Sequence, residues 1–574
     1  MTRSTRFLAA ALGLCAALAC GKAEPPPPSS APAPKPEIYV FAGRCWSFHE
    51  SEPVRYEAVA VSGGLIQAAG SEKDVLAAAG PEARVLRLAP GQALLPGLAD
   101  AHGHLMSLGL MRHVLDLREC QSFDEVVTKV RDKAARIPEG EWVLGRGWDQ
   151  NLWPEKKFPS HEKLSEAAPR HPVWLTRVDG HAGLANAKAM ETADVGASAK
   201  APPGGRIERD ASGAPTGVFV DKAMELVGRA VPAVQGDMAL SLLQAALAEC
   251  ASYGLTSVHD AGSTVSVVSM LQHLARQGTL PLRVYCMVDA RKDMPEELRT
   301  EPPMPDFAGG MVAVRAVKFS LDGALGSRGA ALLEPYSDAP SEKGLLLIEE
   351  KAFEEKIRFC HERGYQAAVH CIGDRANRTT LDVFERVLKD EKNPKALRWR
   401  IEHAQVTHPS DVPRFAALGL VASMQPTHCT SDMPWAGQRL GWSRLNRAYA
   451  WREFLKAGCV LAGGSDFPVE SANPFYGIYA AVTRQDASGR PEGGWQPSQR
   501  LSRHEALRAF TWGAAYAAFA EERQGFLKPG AFADLVVVDR DPMEVPPLEI
   551  RGTKVLLTMT GGKISYRAPE FNLP

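Results

Sequence analysis

From residue 94 onward, short apolar runs alternate with longer stretches whose apolar residues recur every three or four positions. The first run, residues 94–105, carries Leu94, Leu95, Leu98, Ala99 and Ala101 and then His102 and His104. It predicts one strand that ends in two histidines. Residues two apart on a strand share a face, so the two imidazoles stand side by side. Further apolar runs at 255–260, 282–288, 316–320, 366–370, 399–403, 421–425 and 460–466 predict seven more strands. Helical periodicity fills intervals such as 238–253, 351–363 and 377–388. Strands separated by helical crossovers predict an α/β fold, a (β/α)8 TIM barrel. A doubly wound sheet also alternates, but it spreads its strand ends apart.

Polar residues fall at the strand ends. His102 and His104 end the first predicted strand, Lys318 lies in the fourth, His370 ends the fifth, His403 the sixth and Asp466 the eighth. In a barrel these ends converge on one face, where barrel enzymes build their sites. A single histidine at a strand end often only satisfies a loop. Five histidine and carboxylate ligands plus a lysine, all at strand termini, point to a metal centre.

Residues 39–95 and the chain beyond about 523 have a different texture, with short strands and turns. A long insertion, at about 120–250, separates the first two barrel strands. It holds Gly145 to Asp149 (Gly-Arg-Gly-Trp-Asp) and the tight-turn sequence Asp179, Gly180, His181. A long excursion from the catalytic face of a barrel usually covers the pocket. His181 and Trp148 are therefore candidate substrate contacts, as is Trp153; the bland reading of the two tryptophans is the core of the insert.

The N-terminus is separate. Arg3 and Arg6 precede an apolar stretch, residues 7–19, too short to span a bilayer comfortably. Residues 1–20 read as a signal peptide whose end resembles a lipoprotein cleavage site, with Cys20 as the lipidated residue. Residues 21–37 are rich in Pro, Ala and Ser, a tether without a core. The expectation is an exported lipoprotein anchored to the cell envelope, facing the periplasm or the exterior. It meets membrane only through that anchor, and a homodimer is left open.

The formal net charge is −1, with no basic arm, so nucleic acid is not an expected partner and a small-molecule substrate is. The cysteines beyond the leader are scattered with no CxxC pair, which predicts buried free thiols rather than disulfides or a cysteine metal site.

Five stretches together resemble the amidohydrolase superfamily, in the branch with the N-substituted formamide deformylases. They are residues 96–104, 317–328, 369–376, 400–405 and 464–469. The resemblance implies a hydrolase barrel over 96–522, and a small composite β-sandwich made of 38–95 and 523–568, with Gly530 and Asp534 as turn residues. It places the insertion over the active site. It also implies His102, His104 and Asp466 at one metal position and His370 and His403 at a second. Lys318 would be carboxylated and bridge two ions; the alternative is one ion, with Lys318 unmodified and binding substrate or pairing with Asp322. The expected ion is zinc, which makes hydroxide available near neutral pH and polarises a carbonyl. The same donors also hold manganese, iron or cobalt. Asp466 would move a proton from water to the leaving nitrogen. His428 would orient substrate or stabilise the oxyanion. Asp374, Arg375 and Glu402 would support the ligands.

The expected reaction is hydrolysis of a non-peptide carbon–nitrogen bond in an N-acyl, N-formyl or cyclic amide. The alternatives are ester, lactone or phosphoester hydrolysis at the same centre, or a ligand-binding lipoprotein without catalysis. Deamination fits less well, because Cys371 to Asp374 follow His370 where a Glu is expected.

Overall fold

A computed structural model describes residues 37–573, apart from Arg112 and Ala233. The predicted leader, Cys20 and the tether up to residue 36 lie outside the described residues. Eight parallel strands form the barrel: β1 (Leu98–Gly103), β2 (Leu255–Ser263), β3 (Arg283–Asp289), β4 (Val312–Ser320), β5 (Gln366–Cys371), β6 (Arg400–His403), β7 (Val421–Met424) and β8 (Val460–Gly463). They are hydrogen-bonded in chain order. A parallel bridge from Gly103 to Phe467 brings the last strand round to the first. Gly103 is needed there, since a Cβ would lie 2.2 Å from the Phe467 ring.

The helices around the barrel follow the predicted periodicity. In Gly236–Ser252 the residues Leu243, Ala246, Leu247 and Cys250 form the fully buried stripe. In Glu350–Arg363 it is Phe353, Ile357 and Cys360. Each large apolar side chain buried this way contributes about 1.5–3 kcal/mol. The eight described cysteines are all free and buried.

The apolar run at 94–105 is two strands rather than one. Ala93–Pro96 belongs to a flanking sheet and Leu98–Gly103 to the barrel. The break is at Gly97, where a Cβ would fall 2.1 Å from Thr256 Oγ1. His104 lies just past the end of β1.

The flanking segments form one eight-stranded sheet, in which Ala93–Pro96 pairs with Leu535–Val538. Gly530 is in a turn with φ +89°. Asp534 does more than turn the chain. Its carboxylate receives Arg283 of β3 at 2.7 and 3.1 Å, both buried, and the Gly561 N–H at 2.7 Å, and so ties the sheet to the barrel.

The insertion carries a six-stranded sheet, from Leu115–Asp116 to Pro215–Asp221, with its own core. Its short strands gave no sheet signal in the sequence. Trp148 is in this core and not in the wall of the cavity. It is fully buried, donates from Nε1 to Leu175 O at 2.8 Å and stacks on Trp153 at 6.0 Å. Trp153 is likewise tied, to Cys120 O at 3.1 Å. An indole in a dry core needs such a partner for its N–H.

Candidate metal centre

At the end of β1 the His102 side chain is fully buried. Its Nδ1 stands 2.6 Å from Glu402 Oε2, so this nitrogen carries the proton and Nε2 keeps its lone pair. Arg400 fixes Glu402, with Nε 2.7 Å from Oε1 and a second nitrogen 3.1 Å from Oε2. The same guanidinium donates to His259 Nδ1 at 2.8 Å, Ala101 O at 2.7 Å and Ser423 Oγ at 2.9 Å. Burial alone would raise the Glu402 carboxyl, but Arg400 and His102 outweigh it and hold it well below the carboxylate range. Burial, then the Lys318 charge, pulls His102 down to about 4.

Asp466 arrives from the loop after β8. Its backbone is left-handed, with φ +60°, a costly conformation for a residue with a Cβ, and its N–H donates to His102 O at 2.7 Å. This places Oδ1 3.0 Å from His104 Nε2 and 3.6 Å from His102 Nε2, and Oδ2 3.8 Å from His428 Nε2. Asp466 Oδ1 is buried and none of its neighbours has the alignment of a hydrogen bond; His428 Nε2 is buried without a partner. The donor atoms of His102, His104 and Asp466 lie within 4.8 Å of one another, as do those of His403, His428 and Asp466. Imidazole nitrogens and a carboxylate converging at this spacing fit a shared cation. Burial pushes the Asp466 carboxyl up, but the His104 contact and the imidazoles around it keep it well below its usual value.

His403 uses Nδ1 on Gln425 Oε1 at 2.7 Å, which leaves Nε2 for an ion. His370 lies beside it, with ring centres 4.5 Å apart, and turns Nε2 to Gly323 O at 3.5 Å. Lys318 is almost fully buried, with Nζ 3.2 Å from His102 Nε2. Burial brings its amine down to about 8. It does not pair with Asp322, which accepts the N–H groups of Ala331, Ile372 and Gly373 at 2.8–3.0 Å. Asp374 holds the Leu333 N–H at 2.8 Å and Arg447 at 3.2 Å, a loop-shaping role.

These groups open into a cavity of about 960 Å³ whose far wall is the insertion. His181 is in that wall, with Nδ1 2.7 Å from Asp221 Oδ1 and its ring 5.0 Å from His370. Arg177, Asp149 and Asp179 form a buried ion cluster next to it. Sequence reasoning missed Asp221, Arg177 and Gln425. Of these only Gln425 carried a signal, as the last residue of the predicted strand 421–425.

Burial holds His102, His259, His370 and His403 neutral in the folded protein. An unfolded histidine takes up its proton near pH 6.5. From there down to about pH 4, the value for His102, the unfolded chain binds more protons than the folded one. The contribution of these histidines therefore falls as pH falls, while Asp100, Asp322 and Asp432, which burial pushes up to about 7, contribute in the opposite direction over the same range.

A family model described as "Amidohydrolase family" matches residues 89–566. "Putative amidohydrolase YtcJ" of Bacillus subtilis is 32% identical over 521 residues, covering 89% of this chain and 96% of that protein. "N-substituted formamide deformylase" of Arthrobacter pascens is 28% identical over 536 residues, covering 89% and 95%. The solved structure of an uncharacterized metal-dependent hydrolase from Pyrococcus horikoshii aligns with a TM-score of 0.70 at 26% identity, covering 89% of this chain and 99% of that one.

Proposed function

The chain belongs to the amidohydrolase family, and from that premise we propose that it hydrolyses a non-peptide carbon–nitrogen bond of a small molecule with the help of a divalent metal. The observation that carries this reading is the pair of donor groups that share Asp466, one with His102 and His104 and one with His403 and His428, each with its ligand atoms within 4.8 Å of one another. His102, His104 and Asp466 would hold one ion, and His370, His403 and Lys318 a second. Zinc suits imidazole and carboxylate donors. The bound ion supplies positive charge that polarises the carbonyl and acidifies water.

The chain's own groups do the rest. Asp466, ionised at neutral pH, accepts the proton of the attacking water. The water oxygen bonds to the carbonyl carbon, the C–N bond breaks, and Asp466 returns the proton to the leaving nitrogen. His428 faces the same carboxylate and orients the carbonyl oxygen. The insertion supplies the wall of the cavity that faces the bound substrate.

Lys318 could not serve as a ligand while cationic. Its lowered basicity provides neutral amine, which adds to carbon dioxide: an N–C bond forms, a proton leaves, and a positive side chain becomes a negative carbamate. Loaded in bicarbonate, the wild type should bind two ions and Lys318→Met one, by elemental analysis. Two ions in both proteins would rule out the bridging role.

The reading is tested with matched N-acyl, N-formyl, ester and phosphoester substrates on metal-loaded protein. Release of amine from the amides supports it; turnover of esters or phosphoesters alone contradicts it. The leader features of the sequence support an enzyme exported from the cytoplasm and tethered by lipid at Cys20. Among the described residues no helix is long and apolar enough to cross a membrane.

A further inference from the structure

Four arginines reach the cavity: Arg118, Arg146, Arg177 and Arg291. Three are answered by carboxylates. Arg118 pairs with Asp116 at 2.5 Å, Arg291 with Asp289 at 2.7 Å, and Arg177 with both Asp149 and Asp179. Arg146 has no ion pair among the described residues. Its Nε is buried without a hydrogen-bond partner, and among the described residues its one hydrogen bond is long, 3.5 Å from a terminal nitrogen to Val178 O.

The surroundings explain why no protein carboxylate completes it. Asp179 is near enough to act on the charge, but its oxygens are taken, one by Arg177 at 2.6 Å and one by the His181 N–H at 3.0 Å. Asp466 also acts on Arg146 from a distance, which puts this guanidinium within electrostatic reach of the metal centre. Gly180 lies against the fork without a side chain; a Cβ there would be 3.3 Å from a terminal nitrogen. Gly147 has φ +107°, and its missing Cβ lets Arg118 pack close, so a second cation adjoins the first. The acids on the other wall are engaged: Asp432 accepts from Tyr449 Oη at 2.5 Å and Gln405 at 2.9 Å, and Glu470 from Ser431 at 2.5 Å.

A buried guanidinium with an unmade N–H bond is costly, and a carboxylate matches its planar fork with two parallel hydrogen bonds. We propose that Arg146 is the recognition point for a carboxylate on the substrate, so that this hydrolase takes acidic amides, of the N-acyl amino acid type, in preference to neutral ones. The inference rests on the amide-hydrolase reading for its substrate class, but the site can be tested apart from turnover.

The probe is 3-benzoylpropionate, a ketone with no bond to hydrolyse, set against its neutral alcohol counterpart 4-hydroxybutyrophenone. By calorimetry, metal-loaded wild type should bind the acid at least about tenfold more tightly than the alcohol, as charge-assisted pairing requires. Arg146→Met should erase that preference, leave alcohol binding unchanged and keep the melting midpoint; Arg146→Lys should restore part of it. Arg146→Gln serves if the Met variant fails to fold. Equal binding of acid and alcohol by the wild type overturns the proposal. So does an acid preference that survives Arg146→Met, because the carboxylate then sits on the metal. Hippurate and its neutral amide, hippuramide, report on turnover. An intact Arg146-dependent preference without hydrolysis of either would contradict the amide-hydrolase reading and support the subsite. Hydrolysis with no acid preference would do the reverse.

Discussion

Replacing Asp466 by Asn is expected to lower kcat/KM for amide hydrolysis by about 10²–10⁴-fold while the protein stays folded. Two losses combine. The amide cannot take a proton from water, and it is a poorer donor to a cation than the carboxylate whose Oδ1 stands among His102 and His104. Metal content should fall in parallel, and adding excess metal should recover binding before it recovers turnover. The backbone reason to expect folding is local: the left-handed φ of +60° at this position is tolerated by Asn at least as well as by Asp. A variant that keeps more than a tenth of wild-type kcat/KM would remove Asp466 from the chemistry.

The largest stability effect is expected at Arg400. This side chain is completely buried in the barrel and answers Glu402, His259, Ala101 O and Ser423 at once. Arg400→Met keeps the volume of the stem but leaves Glu402 as a buried charge without its main partner. Removing one member of a buried pair costs about 3–5 kcal/mol. Chemical denaturation of metal-free protein would measure it, with a loss under about 1 kcal/mol contradicting the network. A second effect follows through His102. Glu402 sets which imidazole nitrogen carries the proton, so the variant should also bind metal more weakly, by about 10–100-fold.

The barrel was legible because its strands are short apolar runs that end in chemistry-bearing residues. Each of the eight runs overlaps an observed barrel strand, and the flanking residues 94–96 were misread only because Leu94 to Leu105 is apolar across the break at Gly97. His102, His104, Lys318, His370, His403 and Asp466 gather at one end of the barrel for the reason the strand ends implied. What the chain hid was everything that depends on partners distant in sequence. Glu402 and His102 are 300 positions apart, and nothing at either says that they share a proton. The insertion hid the most. Trp148 stands two positions from Arg146, which on a regular strand would put both on one face; a register shift between them, at Gly147 with its φ of +107°, turns Trp148 into the core while Arg146 lines the cavity. His181 reached the cavity, but its partner Asp221 came from a strand the sequence did not reveal.

In the proposed function, metal held at this end of the barrel is what makes the chain an amide hydrolase. The most direct measurement removes the metal with a chelator and titrates zinc back while amine release is followed on the same sample. No turnover is expected in the metal-free protein, with recovery that saturates at one or two ions per chain and none in His102→Ala. Undiminished amide hydrolysis by metal-free protein, or full activity in metal-replete His102→Ala, would contradict it.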